Sequence, residues 1–307
     1  MIYASAAELI GNTPLMRADR FAKAYGIDAN LVVKLESRNP GGSSKDRIAL
    51  NMISRAEERG ELKPGATLIE ATSGNTGVGL GVVAAARGYH VVLTMPESMS
   101  LERRKILEAL GVSIVLTDAE RGMAGANDRA EELLRQIPGS MRMLQFENPD
   151  NPSTHETTTG PEIWRDCEGR VDALIAGVGT AGTVCGTGRY LKRQNPKIRV
   201  IAVQPAESPV LTGGQANAHG IQGLGANFVP KNYDPSVVDE VLSVETEEAI
   251  EAAKLFMKTE GILSGISCGA ALAGARAYAQ KRGKPGETIV VILPDTGERY
   301  LSTVLFD

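Results

Sequence analysis

Apolar blocks alternate with amphipathic ones along much of the chain. "TLIEA" (67–71) has the short, mostly apolar run of a buried strand, and "VGLGVVAAARG" after it reads as a helix closed by Gly88. "YHVVLTM" is a second strand. "SLERRKILEALG" is a helix with Ser100 at its N-cap and Gly111 as its stop, "VSIVLT" a third strand, and "GANDRAEELLRQI" a further helix. A turn-rich stretch, "QFENPDNPS" (145–153), interrupts the rhythm. It resumes with "EIWRDC" (helix), "VDALIAGV" (strand), "TVCGTGRYLKRQ" (helix) and "RVIAVQ" (strand). After a glycine-rich loop over 205–230 come the strand "VDEVLSV", the helices "TEEAIEAAKLFMKTEG" and "GAALAGARAYAQKRG", and the strand "TIVVIL". Strand and helix in alternation predict an α/β fold with mainly parallel sheets and crossover helices, in two units joined near residue 150. Ligands of such folds bind at the carboxyl ends of strands, so the strand-to-helix loops are where chemistry is expected.

Composition narrows the class. The 307 residues are 42% hydrophobic and 23% charged, with a formal net charge of -4, which is ordinary for a globular protein. No basic run offers a nucleic-acid footprint. No apolar run reaches the roughly 18 residues of a membrane span. The N-terminal "MIYASAAELI" lacks the basic-then-apolar pattern of a signal peptide. Cys167, Cys185 and Cys268 form no C-x-x-C pair and are odd in number, so neither a disulfide framework nor a zinc site is expected, and a reducing cytoplasm fits. No metal site is expected. Glycine is the outlier: 34 residues, gathered in short loops, where backbone must turn sharply or approach a ligand.

Three loops imitate familiar motifs. "NPGGSSKDR" (39–47) has glycines before a lysine, but Asp46 stands where a phosphate-binding P-loop needs a hydroxyl. "GVGTAG" (177–182) matches G-x-G-x-x-G after a strand. However, the next strand ends at Gln204, where a dinucleotide site needs an acid; what the pattern retains is an anion-binding helix N-terminus. "GISCG" (265–269) matches the hydrolase G-x-S-x-G, yet no histidine follows Ser267, leaving only the upstream His219 as a partner.

Four loops remain to be explained together: "SSKDR" (43–47), "TSGNTG" (72–77), "GVGTAGT" (177–183) and "GISCGAA" (265–271). With "IGNTPL" (10–15), "TTTGPEIW" (157–164) and "GERYLST" (297–303), the chain resembles the pyridoxal-phosphate-dependent cysteine synthases, the O-acetylserine sulfhydrylases, over essentially its whole length. The resemblance implies fold type II, tryptophan-synthase-β-like. It sets a smaller, mobile, substrate-binding domain at 41–150 against a larger cofactor-phosphate domain formed by 1–40 and 151–307. The implied cofactor is pyridoxal 5'-phosphate. The implied reaction is β-replacement of acetate in O-acetyl-L-serine by sulfide, through an aminoacrylate, to give cysteine.

Residue by residue, Lys45 resembles the lysine that joins the cofactor aldehyde and then acts as general base, for which its amine must first lose a proton. Asn75 resembles the partner of the ring hydroxyl oxygen. Gly179, Thr180, Ala181, Gly182 and Thr183 resemble the phosphate cradle, where backbone N–H groups at a helix start suit a dianion. The family usually has glycine at the position of Ala181, and a positive φ there would strain an alanine. Thr72, Ser73, Thr76 and Gln145 resemble the holders of the substrate α-carboxylate. Ser267 resembles the partner of the pyridine nitrogen; a hydroxyl leaves that nitrogen neutral and the ring a weaker electron sink than an aspartate would, which favours prompt loss of a β leaving group. Cys268 stands where serine is common and reads as a small buried residue.

The sibling reaction, cystathionine formation from serine and homocysteine, is an alternative within the family. In another class stands a non-catalytic role as partner of serine acetyltransferase, whose C-terminal tail would enter the carboxylate site. A homodimer is also implied.

Overall fold

The apolar runs fold as parallel strands in a computed structural model that describes residues 2–99 and 101–307. In chain order the elements begin with β1 Leu15–Arg17, α1 Asp19–Tyr25, β2 Asn30–Leu35, α2 Lys45–Glu58, β3 Thr67–Ala71 and α3 Asn75–Arg87. They continue with β4 His90–Pro96, α4 Leu101–Ala109, β5 Ser113–Thr117, α5 Gly122–Gln136 and β6 Met141–Arg142. Next, α6 Asp150–Thr154 runs through a π turn at His155–Thr159 into α7 Gly160–Asp166. The remainder is β7 Ala173–Gly177, α8 Gly182–Gln194, β8 Arg199–Pro205, β9 Glu240–Val244, α9 Thr246–Glu260, α10 Ile266–Arg282 and β10 Thr288–Leu293. Ser100, expected to cap α4, lies outside the described residues.

The chain forms two compact units. The first comprises Met1–Gly11 and Asn39–Asn151 and holds a four-stranded parallel sheet in the order β5-β4-β3-β6. β3, in the middle, is buried from Leu68 to Ala71, whereas β5 lies at the edge and is half-buried at best. One face packs on α2 and α3 through Ile48, Met52, Leu80 and Val83, and the other on α5 through Ala126, Ala130 and Leu133.

The second unit comprises Asn12–Arg38 and Pro152–Asp307 and holds a six-stranded sheet, β1-β2-β10-β7-β8-β9, parallel except for the β1–β2 pair. Central β10, "TIVVIL", is buried from Ile289 to Leu293. α10 is lined with alanine and glycine and is buried over most of its first ten residues, so it packs closely on α9. Gly88, Gly111 and Gly261 take positive φ just past α3, α4 and α9, as expected of helix stops.

The turn-rich stretch at 145–153 is partly helical. Asn148 Oδ1 accepts the Asp150 N–H at 2.9 Å, which caps the start of α6, and Pro152 falls early in the helix, where its missing N–H costs nothing. The sequence signals of a turn and of a capped, proline-bearing helix start are the same residues.

Candidate active site

In the first unit, Thr72, Ser73 and Gly74 leave the carboxyl end of β3, and Asn75 opens α3. Gly74 is the N-cap and has no side chain with which to cap the helix. Thr72 Oγ1 accepts the Gly74 N–H at 3.3 Å. The Thr76 hydroxyl donates to Gln145 Oε1 at 2.5 Å, and both residues are buried. Gln145 lies just beyond β6, the strand beside β3. The four residues expected to hold a carboxylate therefore come from one loop and the segment next to it. With Oε1 turned to Thr76, the donor end of the Gln145 amide is the half suited to an anion.

Lys45 is the first residue of α2. The preceding turn is tied down residue by residue. Asn39 Oδ1 accepts the Gly11 N–H at 2.8 Å, Asn39 Nδ2 donates to the Ser43 carbonyl at 3.1 Å, and the buried Asp46 carboxylate accepts the Gly41 N–H at 2.5 Å. Ser43 Oγ accepts the Lys45 N–H at 3.2 Å, and Lys45 Nζ donates to Ser44 Oγ at 3.4 Å. Both serines of "GGSSK" thus serve the lysine, one through its backbone and one through its amine. α3 packs directly on this point: a Cβ on Gly79 would stand 2.8 Å from the Lys45 carbonyl oxygen. Only glycine lets the helix that begins at Asn75 approach the lysine so closely.

In the second unit, Val178–Ala181 join β7 to α8. Ala181 is the N-cap of α8 at φ 66, ψ -8, the left-handed region, and is 2% exposed. The expectation that a positive φ would strain this alanine is met: for an L-residue the conformation costs about 1–2 kcal/mol. A left-handed residue at a helix entry turns successive N–H groups to one side; the Ala181 side chain caps none of them, and the Thr180 hydroxyl accepts the Gly182 N–H at 3.4 Å. Gly179 has no room for a side chain, since a Cβ there would lie 2.4 Å from the Gly223 carbonyl oxygen. Gly223, at φ 95, also neighbours Ser267, whose Oγ would lie 3.7 Å from a Cβ on it. Ser267 is buried in the first turn of α10. The loop at 223 therefore brings 179–183 and Ser267 into one neighbourhood. Thr183 Oγ1 and His155 Nε2 are 3.2 Å apart, and His155 Nδ1 is 2.9 Å from Thr159 Oγ1. Only the fold places His155 on the helix-start threonine.

The motif look-alikes resolve locally. Gln204 is buried, donates to Thr212 and Ser243 hydroxyls and accepts the Leu211 N–H, so its amide braces a loop. His219 turns Nε2 to the Gly225 carbonyl at 3.1 Å, and no hydrogen bond joins it to Ser267 among the described residues. Cys268 is fully buried with Sγ 3.4 Å from the Asp295 carbonyl oxygen. Burial, and then the Asp295 charge, push its thiol well above the ordinary range. Among the described residues no cluster of three His, Cys, Asp or Glu is placed to hold a metal ion. No helix among them is long and apolar enough to cross a membrane.

A family model described as pyridoxal-phosphate dependent enzyme matches residues 6–295. The chain belongs to this family of pyridoxal-phosphate-dependent enzymes. Among curated relatives of these enzymes, cysteine synthase A of Escherichia coli (strain K12) is 51% identical over 306 residues, covering 97% of this chain and 93% of that protein. Cysteine synthase of Haemophilus influenzae is 50% identical over 314 residues, covering 100% and 98%. The crystal structure of cysteine synthase from Entamoeba histolytica superposes with a TM-score of 0.96 at 42% identity, covering 100% of this chain and 91% of that one. O-ureido-L-serine synthase superposes at 0.95 with 44% identity, covering 100% and 96%.

The residues present fit pyridoxal phosphate. A dianion is suited by the backbone amides at the start of α8 with the Thr180 and Thr183 hydroxyls beside them, and the bare Cα of Gly179 leaves the loop in close contact with residue 223. A lysine follows a rigid, side-chain-braced turn, and a buried hydroxyl, Ser267, suits a neutral ring nitrogen. One residue on this side escaped the sequence reading. Glu70, in "TLIEA", is a carboxylate in the middle of a buried strand; its signal was the lone acid in an apolar run.

Proposed function

We propose that the chain is a cysteine synthase that replaces the acetate of O-acetyl-L-serine with sulfide at the β-carbon. The reading is carried by one observation: Thr76 is paired with Gln145 beside a helix start, in the same unit as a lysine set on its own braced turn. An amino-acid substrate needs its α-carboxylate held and a base near its α-proton, and this unit supplies both kinds of group. The identity to proteins named cysteine synthase over nearly the full length supports the same reading.

Lys45 would hold pyridoxal phosphate covalently, Asn75 would bond its ring hydroxyl oxygen, Gly179–Thr183 would bind its phosphate, and Ser267 would face its pyridine nitrogen. When bound, the cofactor supplies an electron sink for a carbanion beside an amino group. Once the substrate amino group has displaced it from the cofactor, Lys45 Nζ would take the substrate α-proton and later return it, and Ser44 Oγ holds that nitrogen by accepting a hydrogen bond from it. Thr72, Ser73, Thr76 and Gln145 orient the substrate by its carboxylate, which turns the α-proton toward the base. The same carboxylate site would receive the C-terminal carboxylate of serine acetyltransferase, and the chain would assemble as a homodimer.

The test is chemical. Purified protein should carry a visible chromophore, borohydride should fix the cofactor on the peptide containing Lys45, and O-acetylserine with sulfide should yield cysteine. Homocysteine or thiosulfate as the preferred acceptor would replace this reading with a sibling reaction. A colourless protein that cannot be reconstituted with pyridoxal phosphate would end it. Capture by a peptide ending in isoleucine and light scattering test the two assemblies.

A further inference from the structure

Gln145 reaches Thr76 from an irregular segment, and one buried acid explains how. β6 pairs with β3 only at Leu68–Met141 and Ile69–Arg142, so the ladder stops at Arg142. Beyond it the chain leaves the sheet, with Leu144 at φ 53, a costly conformation for leucine. Backbone N–H groups leaving a buried ladder need acceptors. Glu70, next along β3 and 3% exposed, supplies them: its carboxylate accepts the Leu144 N–H at 3.0 Å and the Gln145 N–H at 3.3 Å. From the other side Asn151 Nδ2 donates to the Gln145 carbonyl oxygen at 2.7 Å. The backbone of Gln145 is thus gripped at both its N–H and its C=O by buried side chains, and its own side chain ends on Thr76. Burial pushes the Glu70 carboxyl up, while Arg142 and the amides of 143–145 draw it back toward the ionised form that accepts best.

We propose that Glu70 is a positioning residue for substrate binding: by capturing the 144–145 backbone it sets the Gln145 amide that meets the substrate α-carboxylate. This rests on the assignment of Thr76 and Gln145 to that carboxylate. Glu70 touches no substrate in this scheme. Its effect passes through Gln145, so the two should act as one unit.

The holoenzyme carrying Glu70→Gln tests this. The substitution keeps the shape but turns an –NH2 toward one backbone N–H, removing a charge-assisted bond. We expect the KM for O-acetylserine to rise about 10-fold, the size of losing one such bond, with kcat and the KM for sulfide little changed. The dissociation constant of an unreactive amino acid, read from the cofactor absorbance, should rise in parallel. Gln145→Ala should give the same pattern, and the double variant should bind no worse than Gln145→Ala alone. Effects that multiply in the double variant would overturn the proposal, because they would mean that Glu70 acts on general stability. So would an unchanged Glu70→Gln beside a weakened Gln145→Ala. If Gln145→Ala is also unchanged, the carboxylate assignment falls and the proposal with it. Should Glu70→Gln fail to fold, hydrogen exchange on the wild type decides: the Leu144 and Gln145 amides should be protected, and exchange as fast as in exposed loops would overturn the proposal.

Discussion

Gly179→Ala is the sharpest probe of the proposed phosphate cradle. The added Cβ would stand 2.4 Å from the Gly223 carbonyl oxygen, where ordinary contact begins at 3.4 Å, so one backbone segment must move by about 1 Å. Neither can yield as a flexible side chain does, since both are main chain, and the Gly225 N–H to Val178 C=O bond of 3.1 Å ties the same two segments together. Overpacking of this kind costs about 1–3 kcal/mol, so the apoprotein should melt measurably lower than wild type. A shift of that size also takes a backbone donor out of reach of a bound phosphate. One bond to a charged group is worth about 1.5–3 kcal/mol, so the affinity for pyridoxal phosphate should fall about 10- to 100-fold. The assay is absorbance titration of cofactor-stripped protein, with thermal melts of the same samples. Ala181→Gly in the same loop is the internal control. Relief of about 1–2 kcal/mol of left-handed strain is set against the buried methyl, worth about 0.8 kcal/mol, and about 0.4–1 kcal/mol of extra unfolded-state freedom, so its stability should change by no more than about 1 kcal/mol. Wild-type affinity and melting in Gly179→Ala would refute both the steric argument and the placement of the phosphate.

Three further outcomes are expected. Lys34→Ala removes the cation 2.7 Å from Glu162 in a pair exposed by 0% and 7%, and should cost about 3–5 kcal/mol in urea denaturation. Ellman's reagent at pH 8 should find at most Cys167 in native protein, because burial pushes Cys185 up to about 11 and Cys268 well above the ordinary thiol range; all three thiols should react in denaturant. The Ser236 hydroxyl, and then Arg189, hold Asp234 below the ordinary carboxylate range. A depressed folded pKa contributes stability above the unfolded value of about 3.9 and loses it as pH falls through the folded value. Asp234→Asn should therefore melt lower than wild type at pH 7, and the gap should close in melts taken toward pH 3.

The strand and helix blocks were legible in the sequence because each follows a period that burial imposes. Continuous apolar runs such as "TIVVIL" became strands covered on both faces, and glycines at 88, 111 and 261 stopped helices as left-handed residues. The loops that carry the chemistry were legible as well, since glycine, serine and threonine cluster where a strand hands over to a helix. The contacts that hold each loop were not. Asp46 already argued against a P-loop in "NPGGSSKDR", but only the fold put Ser43 and Asp46 on the turn and Ser44 on the lysine amine. β1 and β2 left no clear pattern, because β1 is only three residues long and the buried run of β2 is broken by a charge, Lys34.

Sequence alone therefore determined the α/β class, the order of elements and the residues that form the loops, because local patterning follows from which faces are buried. Tertiary structure alone decided that Ala181 takes the left-handed conformation, that Gly79 lies against Lys45, that Gly223 neighbours both Gly179 and Ser267, and that Glu70 holds the backbone of Gln145. Those are contacts between residues dozens of positions apart. They depend on strand order and on where a ladder ends, and no local pattern encodes either.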